Sequence, residues 1–410
     1  MAASSEGDQP RAGALQRFRV LDLTRVFSGP WAAQMLGDLG AEVIKVERPE
    51  VGDDSRRLAP FFSNPSRPDS ESVFFASTNR NKRSITVDLA HPEGQALIRS
   101  LAEKSDILIE NYKVGTLRRY GLDYETLAAI NPRLIYCSIT GFGQTGPYSH
   151  RPGYDLVFQA MSGLMSVTGT EDEPQRVGFV VSDFIGGMYT SISILAALQR
   201  RAETGRGQYV DISLLDTQLA ALSHIASNHL LTGNIPRRYG TSAPQGAPSQ
   251  MYRCADRQIV VVVGNEDQFA RFARTIGMPQ LCADERFSSN AARLANKPVL
   301  NEIIERALAA HTCDEWLARL DEAAVPSGPV LDLQGVFEHP QVRHRGMKVE
   351  PSGGPEGALP HVANPIRFSE SPVTSYRDAP LLGADTDYVL STVLGMNAEA
   401  IDRLRSLRAV

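Results

Sequence analysis

The sequence predicts an α/β protein: a Rossmann-like large domain with a parallel sheet, joined to a smaller α+β domain. Three observations support this prediction. Segments typical of strands and helices alternate through the first half, a length of 410 residues suffices for two domains, and the composition shifts to Gly, Pro and Ser at 233–250. Repeated strand–helix–strand units favour parallel strands with helices on both faces of the sheet.

The predicted strands are short, apolar and β-branched, and the predicted helices separate them. Glu42–Glu47 (EVIKVE) alternates in the period of a strand, and Pro30 lies in a first helical turn, where its missing N–H costs nothing. The predicted strands are Arg19–Leu23, Glu42–Glu47, Ser84–Leu89, Ile107–Glu110, Leu134–Thr140 and Tyr209–Ser213. The predicted helices of this half are Gly29–Leu39, Pro92–Lys104, Tyr124–Ile130, Phe184–Arg201 and Leu214–Leu231.

The remaining chain is predicted to contain a linker and a second domain. Residues 233–250 are expected to be a linker, 251–330 the small domain, and 1–17 a disordered lead-in. Within the small domain, a β-like stretch is followed by three helices, and the chain ends in an irregular segment and a helix. These elements are Met251–Val263, Gln268–Thr275, Lys297–His311, Cys313–Ala323, Pro340–Pro380 and Asp387–Arg405.

Composition excludes several classes of function. The net charge of -5 provides no basic footprint for nucleic acid, and no apolar run is judged long enough to span a bilayer. The four cysteines are widely spaced, and the eight histidines form no ligand cluster, so neither a disulfide framework nor a metal site is expected. The N-terminus lacks a signal-peptide pattern, so a soluble cytoplasmic protein is expected. The dinucleotide motif GxGxxG is absent after the first predicted strand, where the sequence is LDLTRVFSGPW, and this disfavours a nicotinamide or flavin cofactor. The motifs GxSxG and GxxxxGK[ST] are also absent.

Two aspartates are the leading candidates for chemistry. Asp183 is predicted to precede the long apolar helix, where the helix N-terminus would favour its charged form by about 0.3–1 kcal/mol. Such a carboxylate could be a nucleophile, or it could simply cap the helix. Asp155 is predicted to start another helix and has the same two interpretations. The Gly186–Gly187 pair would permit close approach of a ligand or tight helix packing.

Ligands of parallel α/β sheets bind at the carboxyl ends of the strands. In this sequence those ends are Thr24–Ser28, Arg48, Asn111–Tyr112 and Thr140–Gly143. Basic residues near predicted strand and loop ends could clamp phosphates or could be solvated surface residues. They are Arg48, Lys82, Arg83, Arg118 and Arg119.

The chain resembles the family III CoA-transferases, the CaiB/BaiF or formyl-CoA transferase type. The resemblance rests on motifs in family order from residue 18 to about 395. They are LDLTRVFSGPWAAQMLGDLGAEVIKVERP, NRNKRSITVDL, ENYKVGTLRRYGL, GFGQTGPY, GYDLVFQAMSGLMSVTG, SDFIGGMYTSISILAALQRRAETGRGQYVDISLLD, VPSGPV, HPQVRHRGM and PLLGADTD. Three segments, NRNKRSI, YCSITGFGQTGPYSHR and LSHIASNHL, are most similar to the succinyl-CoA-dependent branch that acts on short dicarboxylic acids.

The resemblance implies a nucleophilic role for Asp183 in an acyl transfer that passes through an aspartyl anhydride and an aspartyl-CoA thioester. It implies Tyr154, Asp155 and Gly246 as supporting residues, with coenzyme A as substrate and no separate cofactor. The implied CoA contacts are Phe27, Ser28, Arg48, Asn111, Tyr112 and Arg119. Phe27 stands where the formyl-CoA enzymes have Gln, and PQGAPSQ replaces their glycine-rich loop. Both departures disfavour oxalate or formate and leave room for a larger acid.

The resemblance also implies an interlocked homodimer. Residues 18–232 and the return segment 331–410 would form the large domain of each chain. The residue that binds the distal carboxylate of the acceptor stays open among candidates that include His224, Arg237 and Arg238.

Two rival functions remain. An α-methylacyl-CoA racemase shares the fold, and Glu266 matches its small-domain glutamate, but Tyr154 stands where a racemase has the His that exchanges the α-proton. A CoA-binding protein without catalysis is the other rival, and such a protein would not need the SDFIGGM segment.

Overall fold

The computed structural model describes residues 13–63, 71–349 and 359–410. The chain forms two compact units. The large unit contains the chain up to Leu164, Arg176–Asn234 and the chain from His344 onward, and the small unit contains Met165–Gln175 and Ile235–Arg343.

The large unit is built on a six-stranded sheet flanked by helices. Its strands and two short accessory strands are β1 Arg19–Asp22, β2 Glu42–Glu47, β3 Phe61–Phe62, β4 Glu71–Ser72, β5 Lys82–Thr86, β6 Ile107–Glu110, β7 Ile135–Thr140 and β8 Tyr209–Ser213. The helices are α1 Ser28–Asp38, α2 Val73–Thr78, α3 Pro92–Glu103, α4 Tyr124–Ile130, α5 Asp155–Met161, α7 Val181–Thr204, α8 Leu214–Ala221 and α9 Ser223–Thr232. The short helix α6 Leu164–Val167 starts at the last residue of a large-unit segment and continues into the small unit. Short 3-10 turns lie at Asp54–Arg57 and Leu117–Tyr120.

All neighbouring strands of this sheet are parallel, in the order β5-β2-β1-β6-β7-β8. The chain therefore winds outward from β1 in one direction and then returns to add β6 on the other side. The direction in which successive strands are added to the sheet reverses between β1 and β6. Ligands of such sheets bind in the crevice at that reversal. The predicted α/β class with a parallel sheet is confirmed.

The two faces of the sheet have separate apolar layers. On one face α3 and α4 pack with the C-terminal helices, which contribute Val389, Leu390, Ile401 and Leu404 to the buried core. On the other face α1 and α7 pack against the sheet.

The small unit has an antiparallel sheet in the order β11-β10-β9. Its elements are β9 Ser249–Arg253, β10 Gln258–Val262, α10 Glu266–Thr275, a 3-10 turn at Pro279–Cys282, α11 Asn290–Ala295, α12 Lys297–Leu308, α13 Cys313–Glu322, β11 Ser327–Pro329 and α14 Leu333–Glu338. An apolar cluster that includes Phe272, Phe287 and Trp316 forms its own core. The remaining elements are α15 Pro340–His344, β12 Lys348–Val349, β13 His361–Val362, α16 Thr386–Thr392 and α17 Ala398–Ser406.

Several predicted boundaries differ from the structure. Ile235 and the residues after it in the expected linker belong to the small unit, and the return to the large unit begins at His344 rather than at 331. Met165–Gln175 also belongs to the small unit. Of the expected disordered lead-in, residues 1–12 lie outside the described part, whereas 13–17 form a turn whose Leu15 is buried in the core.

Three predicted elements also differ. The helix expected at Leu214–Leu231 is divided into α8 and α9 at Ser223, whose φ is 43°. The helix expected at Asp387–Arg405 is two helices, α16 and α17. The strand expected at Ser84–Leu89 is shifted toward the N-terminus, to Lys82–Thr86.

Helix α7 is long and apolar enough, by length and composition, to cross a membrane. The sequence analysis did not identify such a run. In the structure 44% of its apolar window is buried, and it packs against α1, as core helices of this composition also do.

Four fully buried charges lie beneath the turn that follows β1. Lys82 Nζ donates to Asp22 Oδ2 at 2.9 Å, and Lys45 Nζ donates to Asp53 Oδ2 at 2.8 Å. Burial alone would raise the pKa values of Asp22 and Asp53, but the neighbouring lysines lower them below their usual range. The carboxylates are therefore held in their charged forms.

We expect Lys82→Met to be strongly destabilising, because it leaves the Asp22 carboxylate buried without its ion-pair partner. The expected loss of unfolding free energy is about 3–5 kcal/mol, measured by urea denaturation followed by circular dichroism. Arg118→Met is the matched control, because the Arg118–Glu125 pair is exposed and its loss should cost less than about 1 kcal/mol. Equal losses for the two variants would contradict this interpretation.

Candidate active site

A cavity of about 250 Å³ opens at the reversal between β1 and β6. Four segments line it: 25–28 after β1, 111–114 after β6, 139–141 at the end of β7, and 149–154 before α5. Asp54, Asp183 and Leu214 complete the lining. The cavity therefore lies where the topology predicts a ligand site.

The turn after β1 holds a strained residue. Val26 has a φ of 71°, a left-handed conformation that is costly for a β-branched side chain. Its neighbour Arg25 is held at both backbone groups, because Asn111 Oδ1 accepts from the Arg25 N–H and Asn111 Nδ2 donates to the Arg25 carbonyl. The Val26 N–H donates to Asp53 Oδ1 at 3.1 Å. The buried ion pairs and Asn111 together fix the shape of this turn.

Asn111 thus supports the cavity wall rather than presenting a free amide. Tyr112 lies beside it, and the Arg25 guanidinium lies over the Tyr112 ring, 4.8 Å from its centroid. Phe27 lines the cavity and packs edge-on against Phe74.

The cavity wall contains buried polar atoms that have no hydrogen-bond partner among the described residues. They are Arg25 Nε, Ser28 Oγ and Thr140 Oγ1. An unmet buried donor or acceptor costs about 1–3 kcal/mol, so these three atoms are the groups of the wall available to hydrogen-bond a molecule in the cavity.

Gly186 and Gly187 are explained by packing. A Cβ on Gly186 would lie 2.3 Å from Leu214 Cδ2, and one on Gly187 would lie 2.9 Å from the Ser28 carbonyl oxygen. Both glycines therefore allow α7 to approach α1 and α8 closely. This contact places the first turn of α7 at the cavity.

Asp183 is the third residue of α7, not its N-cap. The N-cap residue is Val180, which provides no side-chain hydrogen bond. Among the described residues none donates a hydrogen bond to the Asp183 carboxyl group. The capping interpretation of Asp183 is therefore wrong, and the carboxyl group is free to face the cavity that it lines.

Asp155 provides the cap that α7 lacks. Its Oδ1 accepts from the Ser182 N–H at 2.8 Å, and its Oδ2 accepts from Gln159 Nε2 at 2.6 Å. Asp155 is the first residue of α5, whose N-cap is Tyr154, so it caps a different helix from the one that the sequence suggested. A carboxylate at a helix N-terminus is stabilised by the backbone N–H groups there.

The pKa of Asp183 is raised to about 7, first by burial and second by the negative charge of Asp155. This reverses the expectation that the helix N-terminus would favour the charged form, because desolvation outweighs it. A carboxyl group with a pKa near 7 is a stronger base, and a better nucleophile when ionised, than an exposed one. Asp183 is therefore suited to attack an electrophilic carbonyl group.

Other predicted site residues lie at varied positions. Tyr154 lines the cavity and is 76% exposed. Arg48 is exposed and pairs with Asp54 at 2.7 Å, and Asp54 itself lines the cavity. Arg119 is exposed, in the turn Leu117–Tyr120, and does not line this cavity. Gly246 belongs to the small unit.

Two of the predicted phosphate clamps serve the fold. Lys82 is fully buried against Asp22, and Arg83 pairs with Asp385 at 3.1 Å. Arg25, which also lines the cavity, belongs to the strand end Thr24–Ser28 that the sequence analysis named. Lys113, His150 and Arg151 line the cavity as well, and the sequence analysis did not identify them as candidates. Their positions in the sequence could have identified them. Lys113 closely follows strand β6, and His150 and Arg151 lie just before Tyr154.

Glu266 has a structural role within the small unit. Its Oε2 accepts from Arg293 Nη1 at 2.6 Å, and its Oε1 accepts from the Asn290 N–H at 2.8 Å. The hydrogen bond from Arg293 is the main reason that the pKa of Glu266 is lowered. Such a carboxylate is a weak base, which argues against the proton transfer that a racemase requires.

Comparison with known proteins identifies the class. The model of CoA-transferase family III matches residues 15–386, so the chain belongs to that family of enzymes. A succinate–glutarate CoA-transferase of Agrobacterium fabrum is 42% identical over 387 residues, which are 94% of this chain and 97% of that protein. A succinyl-CoA:glutarate CoA-transferase of Homo sapiens is 39% identical and covers 99% of this chain and 92% of its own length.

A crystal structure of a CaiB/BaiF family protein from Brucella suis has the same fold. It superposes with a TM-score of 0.86 at 41% identity and covers 93% of this chain and 100% of its own. The family assignment made from the motifs is confirmed.

We expect the Asp183 carboxyl group to destabilise the folded protein above neutral pH. A carboxyl group with a raised pKa binds its proton more tightly in the folded than in the unfolded chain, so stability falls as pH rises from about 4 to about 7. Asp183→Asn should therefore raise the melting temperature on the order of 3 °C at pH 8 and change it little at pH 4. The measurement is differential scanning fluorimetry across that range, and a gain that is independent of pH would contradict the assigned pKa.

Proposed function

We propose that this enzyme transfers CoA from succinyl-CoA to a short dicarboxylic acid, with glutarate as the first acceptor to test. The observation that carries this proposal is Asp183, a carboxyl group with no hydrogen-bond donor among the described residues, whose pKa is raised to about 7. It lines the cavity at the reversal of the sheet. The relatives that are named succinate–glutarate and succinyl-CoA:glutarate CoA-transferases support the choice of substrates.

In the first half-reaction, an Asp183 oxygen attacks the thioester carbonyl carbon of succinyl-CoA. The new C–O bond forms, the C–S bond breaks, and CoA leaves as a thiolate. The thiolate then attacks the Asp183 carbonyl carbon of the mixed anhydride. This forms an aspartyl-CoA thioester and releases succinate as a carboxylate.

The second half-reaction is the reverse sequence with the acceptor. The acceptor carboxylate attacks the aspartyl-CoA carbonyl carbon and expels the CoA thiolate. That thiolate attacks the acceptor's own carbonyl carbon in the anhydride and regenerates the Asp183 carboxylate. No proton or redox partner is consumed, and water must be excluded because anhydrides hydrolyse.

CoA would occupy the cavity at the turn after β1. Ser28 Oγ, Thr140 Oγ1 and Arg25 Nε have no hydrogen-bond partner in the part of the chain that the structure describes, and they could bind polar groups of CoA or of the acyl chain. The family resemblance assigns CoA contacts to Phe27, Ser28, Arg48, Asn111, Tyr112 and Arg119, with Tyr154, Asp155 and Gly246 in support. Of these, Asn111 would act through the Arg25 backbone, and Asp155 through α7.

The distal carboxylate of the acid requires a cation or an N–H donor. Arg25, Lys113, His150 and Arg151 line the same cavity as Asp183. Arg25 already pairs with Asp54 at 3.4 Å, whereas Lys113, His150 and Arg151 form no ion pair within the described residues. Arg151 is the first of these three to test, because its guanidinium group can bind a carboxylate through two parallel hydrogen bonds. Among the earlier candidates, Arg238 already donates to the carbonyl oxygens of Thr170 and Glu171.

The proposed reaction can be tested by mass spectrometry of CoA esters. Each reaction contains the protein, succinyl-CoA and one acid, which is glutarate, adipate, malonate or butyrate. We expect glutaryl-CoA and succinate in equal amounts, little product from butyrate because it has no distal carboxylate, and at least a 10³-fold loss of rate in Asp183→Asn. Failure of every dicarboxylate would overturn the substrate assignment.

A second experiment, without an acceptor acid, can locate the covalent intermediate. With succinyl-CoA alone, borohydride should reduce an aspartyl-CoA thioester to an alcohol in the tryptic peptide 177–200, which contains Asp183. Arg206→Gln, an exposed residue outside the cavity, is the control and should form the same adduct at the same rate.

We further propose that the enzyme is a homodimer, the interlocked form that the family resemblance implies. Large apolar side chains on α7, α8 and α9 are exposed in the single chain: Met188, Tyr189, Ile192, Leu195, Leu219, Leu230 and Leu231. Leu230 and Leu231 are 82% and 84% exposed. So many exposed large apolar side chains on consecutive helices support an interaction surface there.

We expect light scattering to give twice the mass of one chain at micromolar concentration. The double variant Leu230→Glu with Leu231→Glu should shift the mass toward one chain, because it would bury two charges at the interface. Leu407→Glu, on an exposed residue after α17, should leave the mass unchanged. A wild-type protein that scatters as one chain at all concentrations would contradict the proposal.

A further inference from the structure

Gln159 is a fully buried polar residue that the proposed chemistry does not use. It lies on α5, one turn after Asp155, and its exposed fraction is 0%. Its Nε2 donates to Asp155 Oδ2 at 2.6 Å, and its Oε1 accepts from the Val177 N–H at 2.8 Å. The same Nε2 lies 3.4 Å from the Phe179 carbonyl oxygen. The Gln159 side chain therefore connects α5 to the segment 177–179, which leads into α7.

The start of α7 depends on these contacts. The N-cap residue Val180 supplies no side-chain acceptor, and Asp155 Oδ1 accepts from Ser182 instead. Ser182 Oγ also donates to Gln218 Oε1 of α8 at 3.0 Å. Ser182, the residue before Asp183, therefore connects the first turn of α7 to α5 through its backbone N–H and to α8 through its side chain.

We propose that Gln159 is a positioning residue: it holds the Asp155 carboxylate against the first turn of α7 and so directs the Asp183 carboxyl group into the cavity. This inference rests on the proposed role of Asp183 as the nucleophile. Without Gln159, the buried Asp155 Oδ2 would be unmet and the half-buried Val177 N–H would lose its acceptor. The segment 177–179 that leads into α7 would also lose its hydrogen bonds to the Gln159 side chain of α5.

Position matters at this site because an attacking oxygen must approach the thioester carbon within about 3–3.5 Å and along a narrow direction. Asp155 also influences the charge of Asp183, since its negative charge raises the pKa of that carboxyl group. The other charged or titratable groups that face the cavity are Arg25, Asp54, Tyr112, Lys113, His150, Arg151 and Tyr154.

The test compares Gln159→Glu with the double variant Asp155→Asn and Gln159→Glu. The single variant places two carboxylates together with no donor between them. In the double variant the donor and acceptor are exchanged: the new amide at 155 can donate to the new carboxylate at 159 and still accept from the Ser182 N–H. The carboxylate at 159 can also still accept from the Val177 N–H.

We expect Gln159→Glu to lower the rate of covalent adduct formation at Asp183 by about 10- to 100-fold at saturating succinyl-CoA. The dissociation constant of CoA should change less than about 3-fold. The double variant should form the adduct at least about 10-fold faster than Gln159→Glu. Gln95→Leu is the matched control, since it removes a glutamine that bonds only to backbone carbonyl groups at the start of α3, and its rate should equal that of the wild type.

Melting temperatures and CoA affinity show whether each variant folds. If Gln159→Glu fails to fold, Gln159→Leu is used with the same readouts. A rate within 3-fold of the wild type for a folded Gln159 variant, or a double variant no faster than the single one, would overturn the inference. An Asp183→Asn enzyme that still exchanges CoA would instead overturn the proposed function, so the two failures are distinguishable.

Discussion

The turn that follows β1 is the constraint on which the cavity depends, and buried ion pairs fix its shape. Lys45 Nζ donates to Asp53 and to the Thr24 carbonyl group, while Asp53 Oδ1 accepts from the backbone of Val26 and Ser55. Buried charges are stable only where they are paired and hydrogen-bonded, and here the pairing is complete. The strained Val26 is held because the surrounding contacts leave the backbone no alternative. A Rossmann sheet that binds a dinucleotide uses glycines in this turn, whereas this chain uses charge pairs.

Asp155 and Asp183 show how environment separates two identical side chains. Asp155 has both oxygens hydrogen-bonded, one to the start of α7 and one to Gln159. Asp183 receives no hydrogen bond from the described residues, and its pKa rises to about 7 under burial and the charge of its neighbour. One carboxylate is therefore structural, and the other remains reactive. Pairs of titratable groups whose environments differ in this way mark catalytic sites.

Much of the fold could be predicted from the sequence because its signals are local. Glu42–Glu47, Ile107–Glu110 and Tyr209–Ser213 have the predicted bounds, since apolar, β-branched runs between turn residues define strands. The resemblance suggested roles for Asp155 and Asp183, but local sequence could not show that Asp155 caps α7 and that Asp183 caps no helix. Which helix a carboxylate caps depends on the packing of α5 against α7. Lys82 was equally ambiguous: a lysine at a strand start can be a phosphate ligand or an ion-pair partner, and only the position of Asp22 decides. The short segment 165–175 joins the small unit through contacts with residues about 70 positions later, such as Gly169 with Gly240, and these are not visible in local sequence.

The distribution of unmet polar atoms connects the fold to the chemistry. Hydrogen bonds meet most buried polar groups of the large unit, including the amide of Asn111, both oxygens of Asp155 and the amide of Gln159. Among the exceptions in the described residues, Arg25 Nε, Ser28 Oγ and Thr140 Oγ1 line one cavity together with the Asp183 carboxyl group, whereas Arg83 Nε lies elsewhere. Under the proposed function, a bound acyl-CoA would hydrogen-bond these groups and thereby stabilise the folded enzyme. Because such groups are fixed before substrate arrives, they need not reorganise as negative charge moves from carboxylate to thiolate, and this is the condition under which polar groups lower a reaction barrier most.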